Sequence, residues 1–396
     1  MKTNFYILVG GEAASQLGSN LFDIAIMWTL YRLTRNTVVI GGVSAVFNGL
    51  VVLEVLTGFL ADKYAKTKIM LLIDGLQAGC MLGGALLFSR TALTLVGLVT
   101  VTFSTRLLGT FFGPAEMALI PRLVQENQLR RATSLNQGVG MLMEMAGMLL
   151  GGVLVTSVSL TGFLVINSVS FVISGLCVAI VSYRLSGQET RSVKARSVGR
   201  WSAGLRYLVH QPVLRVVVGL ALLVNLTLGP VMGLDVVWVR GILHAPAVMY
   251  SFMQMFLIVG VILGNILVNL VAWSLKRRLV GALTMMGLAT LVLAISRNLV
   301  GTLSMILAIG LAAGFLNVSI YTLIQQQTPS RLLGRVNGAM LASTNLSLPV
   351  GTLLGGVLAS RIQLANVFIL GAMVTLAAMV CLLRVRLPED DTLETR

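Results

Sequence analysis

Four ionisable residues interrupt apolar runs in the first half of the chain: Asp23, Glu54, Arg106 and Glu144. A charge held away from water costs about 2.5–3.5 kcal/mol on insertion scales, so such groups face a cavity or one another. The chemistry open to them is proton exchange. A carboxylic acid withdrawn from water tends to keep its proton, and a neighbouring guanidinium favours release. Asp23 and Glu144 fall near the middle of their runs and are the leading candidates. The plainer alternative for Arg106 is a static ion pair with Glu54 or Glu144. The second half holds one acid within a run, Asp235, near its outer end, where it serves either a cationic ligand or an outer vestibule. Amides stand there instead: Asn225, Gln254, Asn265, Asn269, Asn317 and Asn345. Of these, Asn225, Gln254, Asn317 and Asn345 join Trp28 and Asp235 as candidates to line a cavity for a small molecule. Trp28, with Tyr31, also fits a belt at a membrane surface.

The elements that must position these groups are set by composition. Of 396 residues, 56% are hydrophobic and 11% charged, and the mean hydropathy is +0.91. A soluble protein carries roughly a quarter charged residues. So little charge cannot cover a water-facing surface, so the solvent is mostly lipid. The 41 glycines suit helices that approach closely in a membrane. The net charge of +15 would suggest nucleic acid in a soluble protein. Here the charges lie in short segments between apolar runs, which points to orientation in a bilayer and to no nucleic-acid partner. Cys80, Cys177 and Cys381 lie in apolar runs as small packing residues. The first residues show no small-residue cleavage site, so the first span is expected to insert as it stands. His210 and His244 are the only histidines. No catalytic triad and no phosphate-gripping Gly-Lys-Ser/Thr loop is present, so an enzyme is not expected and any transport is secondary or passive.

A membrane helix needs about 20 apolar residues. That rule gives twelve candidates, roughly 8–32, 38–61, 69–89, 92–114, 134–158, 161–183, 212–238, 247–272, 279–296, 299–323, 335–359 and 363–385. Twelve spans put both termini on one side. That side then takes 22 of the 29 Lys and Arg, and the other takes six. The bias places both termini and the basic middle segment in the cytoplasm. Glu54 and Arg106 are then expected deeper towards the cytoplasm than Asp23 and Glu144. Glu12 and Asp74 read as interfacial acids near cytoplasmic span ends. The predicted division is a six-helix bundle over 1–184, a cytoplasmic linker over 185–211 and a second six-helix bundle with a tail over 212–396. The part Trp201–His210 of the linker has the spacing of an amphipathic surface helix.

The halves repeat. Gly147-Met-Leu-Leu-Gly-Gly-Val-Leu154 matches Gly351-Thr-Leu-Leu-Gly-Gly-Val-Leu358 at an offset of 204, and Leu119-Ile120, Leu129 and Arg131 match Leu323-Ile324, Leu333 and Arg335 at the same offset. Two parallel repeats imply a pseudo-twofold axis along the membrane normal with a pathway between halves. Gly147, Gly151, Gly152, Gly351, Gly355 and Gly356 are the expected helix-packing positions.

Between the second and third apolar runs lies Gly58-Phe-Leu-Ala-Asp62-Lys63-Tyr-Ala-Lys66-Thr-Lys68. With the repeats, this loop resembles the signature of the major facilitator superfamily, with Ala65 where glycine is usual. Arg106-Leu-Leu-Gly109 resembles the family's fourth-span arginine motif at a shorter glycine spacing. Gly147 through Gly152 resembles its antiporter motif with Met148 in place of proline. Ser15-Gln-Leu-Gly18, the stretch from Pro114 to Val124, Gly204 through Pro212, and Pro329 through Asn337 look like the exporter branch that includes macrolide efflux proteins and the enterobactin exporter.

The resemblance implies an all-α membrane protein of twelve helices in two pseudo-symmetric bundles. It implies a secondary transporter that exports a hydrophobic or amphiphilic small molecule by rocking-switch alternation. Protons are the expected partner through Asp23, Glu144, Glu54 and Arg106, with the proton gradient as energy source and no cofactor or metal. Residence is expected in the cell membrane, as a monomer. The loop is expected to act as a conformational gate through Gly58, Asp62, Lys63, Lys66 and Lys68, with the helix start near Arg335 as partner for Asp62. An importer, a lipid or metabolite flippase, or a non-transporting receptor on the same fold remains the alternative, since direction is not written in a fold.

Overall fold

The computed structural model describes residues 3–53, 57, 65–90, 94–185 and 201–385. Among them the regular structure is helical throughout: α1 Thr3–Thr34, α2 Thr37–Gly49 with a 3-10 turn to Val52, α3 Lys66–Arg90, α4 Leu95–Gly109, α5 Phe112–Leu123, α6 Leu129–Leu154, α7 Leu160–Leu185, α8 Trp201–His210, α9 Pro212–Gly233, α10 Ala247–Leu267, α11 Leu275–Ile295, α12 Leu299–Gln327, α13 Ser330–Ala359 and α14 Leu364–Leu383. Helix starts carry ordinary caps. Thr94 Oγ1 accepts from Gly97 N, Ser274 Oγ from Arg277 N and Asn298 Oδ1 from Gly301 N. Pro212 opens α9, where its missing N–H costs nothing.

Ten helical stretches among the described residues are long and apolar enough to cross a membrane. α4 and α5 together form one of them, Leu95–Leu123. The other two expected spans differ for separate reasons. α1 has 32 residues, ample for a bilayer at 1.5 Å per residue, but Glu12, Gln16, Asn20 and Asp23 dilute its apolar character. The span expected at 38–61 is a shorter apolar helix, Thr37–Val52, within the described residues. Beyond the expected end of the fourth span at 114, helix runs on past Pro114 and Pro121 to Leu123.

Contacts divide the chain into two units. The first comprises 1–35 and 49–196, and the second 36–48 and 197–396. In the first, α1 packs on α6 and α7, and α3 packs on α7. Phe5, Leu8 and Val9 of α1 meet Met70 of α3, Leu119 and Leu123 of α5 and Val178 of α7 in one buried cluster. α6 approaches α1 through glycines. A Cβ at Gly147 would stand 2.8 Å from Leu17 O, and one at Gly151 would stand 3.0 Å from Leu21 O. Gly152 is buried in the same stretch.

The second unit repeats the device. Gly351 of α13 lies against the Leu226 carbonyl of α9, and a Cβ at Gly355 would stand 2.5 Å from Pro230 Cγ. Thr352 Oγ1 donates to Gly229 O at 2.9 Å across the same contact. α2 packs here too. Gly41 and Gly356 meet backbone to backbone, Thr37 Oγ1 donates to Gly356 O at 3.1 Å, and Ser44 Oγ donates to Gly233 O at 3.1 Å. Helices α10 and α12 cross through a double glycine pair that the repeat comparison does not bring out. A Cβ at Gly260 would stand 2.9 Å from Gly310 Cα, and one at Gly264 would stand 3.0 Å from Gly314 Cα. The signal is in the sequence, since Gly-x-x-x-Gly on both partners is the pattern that lets membrane helices touch backbone to backbone. α8 joins this unit through buried Leu208 and a 3.0 Å hydrogen bond from Tyr207 Oη to Gln327 O.

Candidate functional site

In the first unit, Arg106 of α4 pairs with Asp23 of α1, Nη2 to Oδ1 at 2.5 Å, with the two side chains 32% and 36% exposed. Asp23 sits well inside α1 and Arg106 in the last turn of α4, and Glu144 of α6 lies within electrostatic reach of Asp23. Three of the four ionisable candidates therefore gather in one place. The ion pair that Arg106 makes with Asp23 is one the sequence did not single out. The physical reason is register. α4 starts at Leu95, which leaves Arg106 three turns in, and its long side chain spans the gap to α1. Glu54 lies outside the described residues.

About a third of each side chain of the pair is exposed, so the pair is not sealed within the protein.

In the second unit, a cavity of about 290 Å³ lies among α9, α10, α12 and α13. Asn225, Asn317 and Asn345 enter it from three of these helices, with Tyr321 and Thr344, and Val224, Leu257, Leu316 and Met340 supply apolar wall. Asn225 Nδ2 donates to Ala221 O on its own helix at 2.9 Å, which fixes the amide's orientation. Tyr321 and Thr344 escaped the sequence reading. Tyr321 stands one helical turn beyond Asn317, and Thr344 adjoins Asn345, so helical spacing from the amides would have found the tyrosine. Gln254 is not part of this lining. Its amide donates to Tyr250 Oη at 3.3 Å. Asp235 is not part of it either. It is 3% exposed, and its Oδ1 accepts from Val236 N at 2.8 Å, at the helical turn that follows Gly233. Trp28 lines a separate recess of about 400 Å³ in the first unit with Arg32, Phe88, Ser159 and Phe163.

Of the gate residues, Gly58, Asp62 and Lys63 lie outside the described residues. Lys66 is buried at the start of α3, while Lys68 and, in the second unit, Arg335 are exposed.

Residues 1–396 match the transmembrane secretion effector family over their whole length. The chain belongs to that family. Macrolide efflux protein A of Streptococcus pyogenes is 25% identical over 391 residues, covering 96% of this chain and 95% of that protein. The uncharacterized MFS-type transporter YfiS of Bacillus subtilis is 22% identical over 393 residues, covering 96% and 88%. Among solved structures, the nucleoside transporter NupG superposes with a TM-score of 0.72 at 13% identity, covering 97% of this chain and 100% of that one. A bacterial homologue of the iron transporter ferroportin, inward-facing, gives 0.70 at 17% identity, covering 96% of each. These likenesses establish the major facilitator fold. The protein is a multi-pass membrane transporter of that superfamily with efflux proteins among its relatives.

Proposed function

We propose that this transporter exports a hydrophobic or amphiphilic small molecule in exchange for protons, crossing the cell membrane twelve times with both termini in the cytoplasm. The observation that carries the reading is the Asp23–Arg106 pair with Glu144 beside it. A carboxylate that exchanges its guanidinium partner for a proton changes the charge of the bundle interior by one, which is what coupling requires. The amide-lined cavity of the second unit supports the substrate class. Three asparagines in an apolar wall suit a ligand that is mostly apolar with a few hydroxyl or carbonyl groups. The Streptococcus relative, a macrolide efflux protein, supports both direction and class. Rocking of two six-helix bundles as a monomer, gated by the Asp62 loop and driven by the proton gradient without a cofactor, completes the proposal.

The test uses the purified protein in vesicles. Asp23→Asn and Glu144→Gln are made separately, and substrate-driven proton movement is followed with an interior pH dye. Loss of proton movement in at least one variant, with substrate binding retained, is expected. Unchanged proton movement in both refutes the assignment.

A further inference from the structure

Glu12 reads from the sequence as an interfacial acid, and Glu116 falls in a stretch read as a loop. The structure puts them together. Glu116 is on α5, one helix with α4 in crossing the membrane, and is 5% exposed. Asn136 Nδ2 of α6 donates to Glu116 Oε1 at 2.8 Å. Gln16 Nε2, one turn along α1, donates to Glu12 Oε1 at 2.9 Å. α6 meets α1 at this level, since a Cβ at Gly140 would stand 3.1 Å from Gln16 Oε1. Asn136 precedes Gly140 by one turn, as Glu12 precedes Gln16, so the two carboxyls converge within interaction range. Glu12 Oε2 is buried, and no N–H or O–H donor among the described residues reaches it.

Two acceptors turned towards each other in an apolar setting need a hydrogen between them, because two carboxylates at contact cannot both stay ionised. We propose that Glu12 and Glu116 form a proton-binding site that holds one proton between two carboxylates, distinct from the Asp23–Arg106 pair. On release the proton passes to water and the pair gains one negative charge. Asn136 and Gln16 stabilise either form by donating to the two remaining oxygens. The charged and titratable groups on the surrounding helices are few. Lys66 of α3 is buried one turn before Met70, Asp74 of α3 accepts from Ser174 Oγ at 2.8 Å, Cys177 of α7 faces Gly11, Arg184 donates to Asn4 Oδ1 at 3.2 Å, and Arg122, Arg130 and Arg131 are exposed.

The site has a route inwards. Glu12, Gln16, Asn20 and Asp23 form a polar stripe on α1, with Asn20 Nδ2 donating to Gln16 O at 2.8 Å. The stripe joins the acid pair to Asp23 over 11 residues, about 16 Å of helix.

Infrared difference spectroscopy of the reconstituted protein, stepped from acid to alkaline pH, tests this directly. A protonated carboxylic acid gives a carbonyl stretch that shifts in heavy water, and ¹³C-carboxyl glutamate moves it while labelled aspartate does not. The expected result is such a glutamate band, lost in Glu12→Gln and equally in Glu116→Gln, and kept in Asp23→Asn and Glu144→Gln. A band that moves only with aspartate label overturns the proposal, as does one that survives both Gln variants or one that is lost in Glu144→Gln alone. The labelled unmutated protein supplies the first of these answers even if a variant fails to fold. The readout needs no transport, so uncoupled transport with the band intact would sink the coupling reading and leave this site standing.

Discussion

Gly264 offers a sharp test of how the substrate cavity is held. Its Cβ position stands 3.0 Å from Gly314 Cα, whereas ordinary contact begins at 3.4 Å. The Leu311 carbonyl oxygen is nearer still, so Gly264→Ala must move α10 away from α12, and the obstacle is backbone, which cannot rotate away. Overpacking of this kind costs about 1–3 kcal/mol. Alanine also favours helix over glycine by about 0.8–1.0 kcal/mol, which would mask part of the loss. Gly219 of α9 has nothing within 4 Å of its Cβ position, so Gly219→Ala carries the propensity gain alone. The difference between the two variants isolates the contact at about 1–3 kcal/mol. Thermal unfolding in detergent, followed with a thiol-reactive dye, measures it. Gly264→Ala should unfold at a lower temperature than the parent, and Gly219→Ala at an equal or higher one. Because α10 and α12 both line the cavity, ligand affinity should fall in the first variant only. Equal unfolding temperatures for the two variants would refute the claim that the glycine crossing sets the helix spacing.

Asn317→Leu and Asn345→Leu should each weaken ligand binding by one hydrogen bond, about 0.5–1.5 kcal/mol or roughly 2- to 12-fold in Kd, read by tryptophan quenching or calorimetry; Gln254→Leu, away from the cavity, should change it little. Asp62→Asn should insert normally yet slow transport cycling, and normal turnover in vesicles would reduce Asp62 to a surface charge. With Cys80, Cys177 and Cys381 replaced, a cysteine at Ser360 should react with an impermeant maleimide in intact cells, and a cysteine at Glu126 only after the membrane is opened; the reverse pattern would overturn the cytoplasmic placement of the termini.

The asparagines were legible in the sequence because an amide in an apolar run has one economical place to point, a cavity. Asp23 and Arg106 were legible as charged groups but not as partners, since pairing depends on the registers of α1 and α4, set by distant contacts. Glu116 was hidden for a different reason. Pro114, Glu116 and Pro121 carry local signals of a loop, and the apolar cluster around Phe5, Leu119 and Met70 overrides them. For Asp235 the sequence left a cationic ligand and an outer vestibule both open; what it did not show is that Gly233 ends α9 just before it and that the carboxylate turns back onto its own backbone.

The packing of α2 also bears on how the chain is made. Thr37 and its acceptor Gly356 are 319 positions apart. At about 5–20 residues per second, roughly 16 to 64 s pass between synthesis of the donor and of its acceptor. For that time the hydroxyl of Thr37 and the bare backbone at Gly41 lack their α13 partners. A ribosome stalled before α13 should leave this face open to a lipid-borne crosslinker, and completion of α13 should close it.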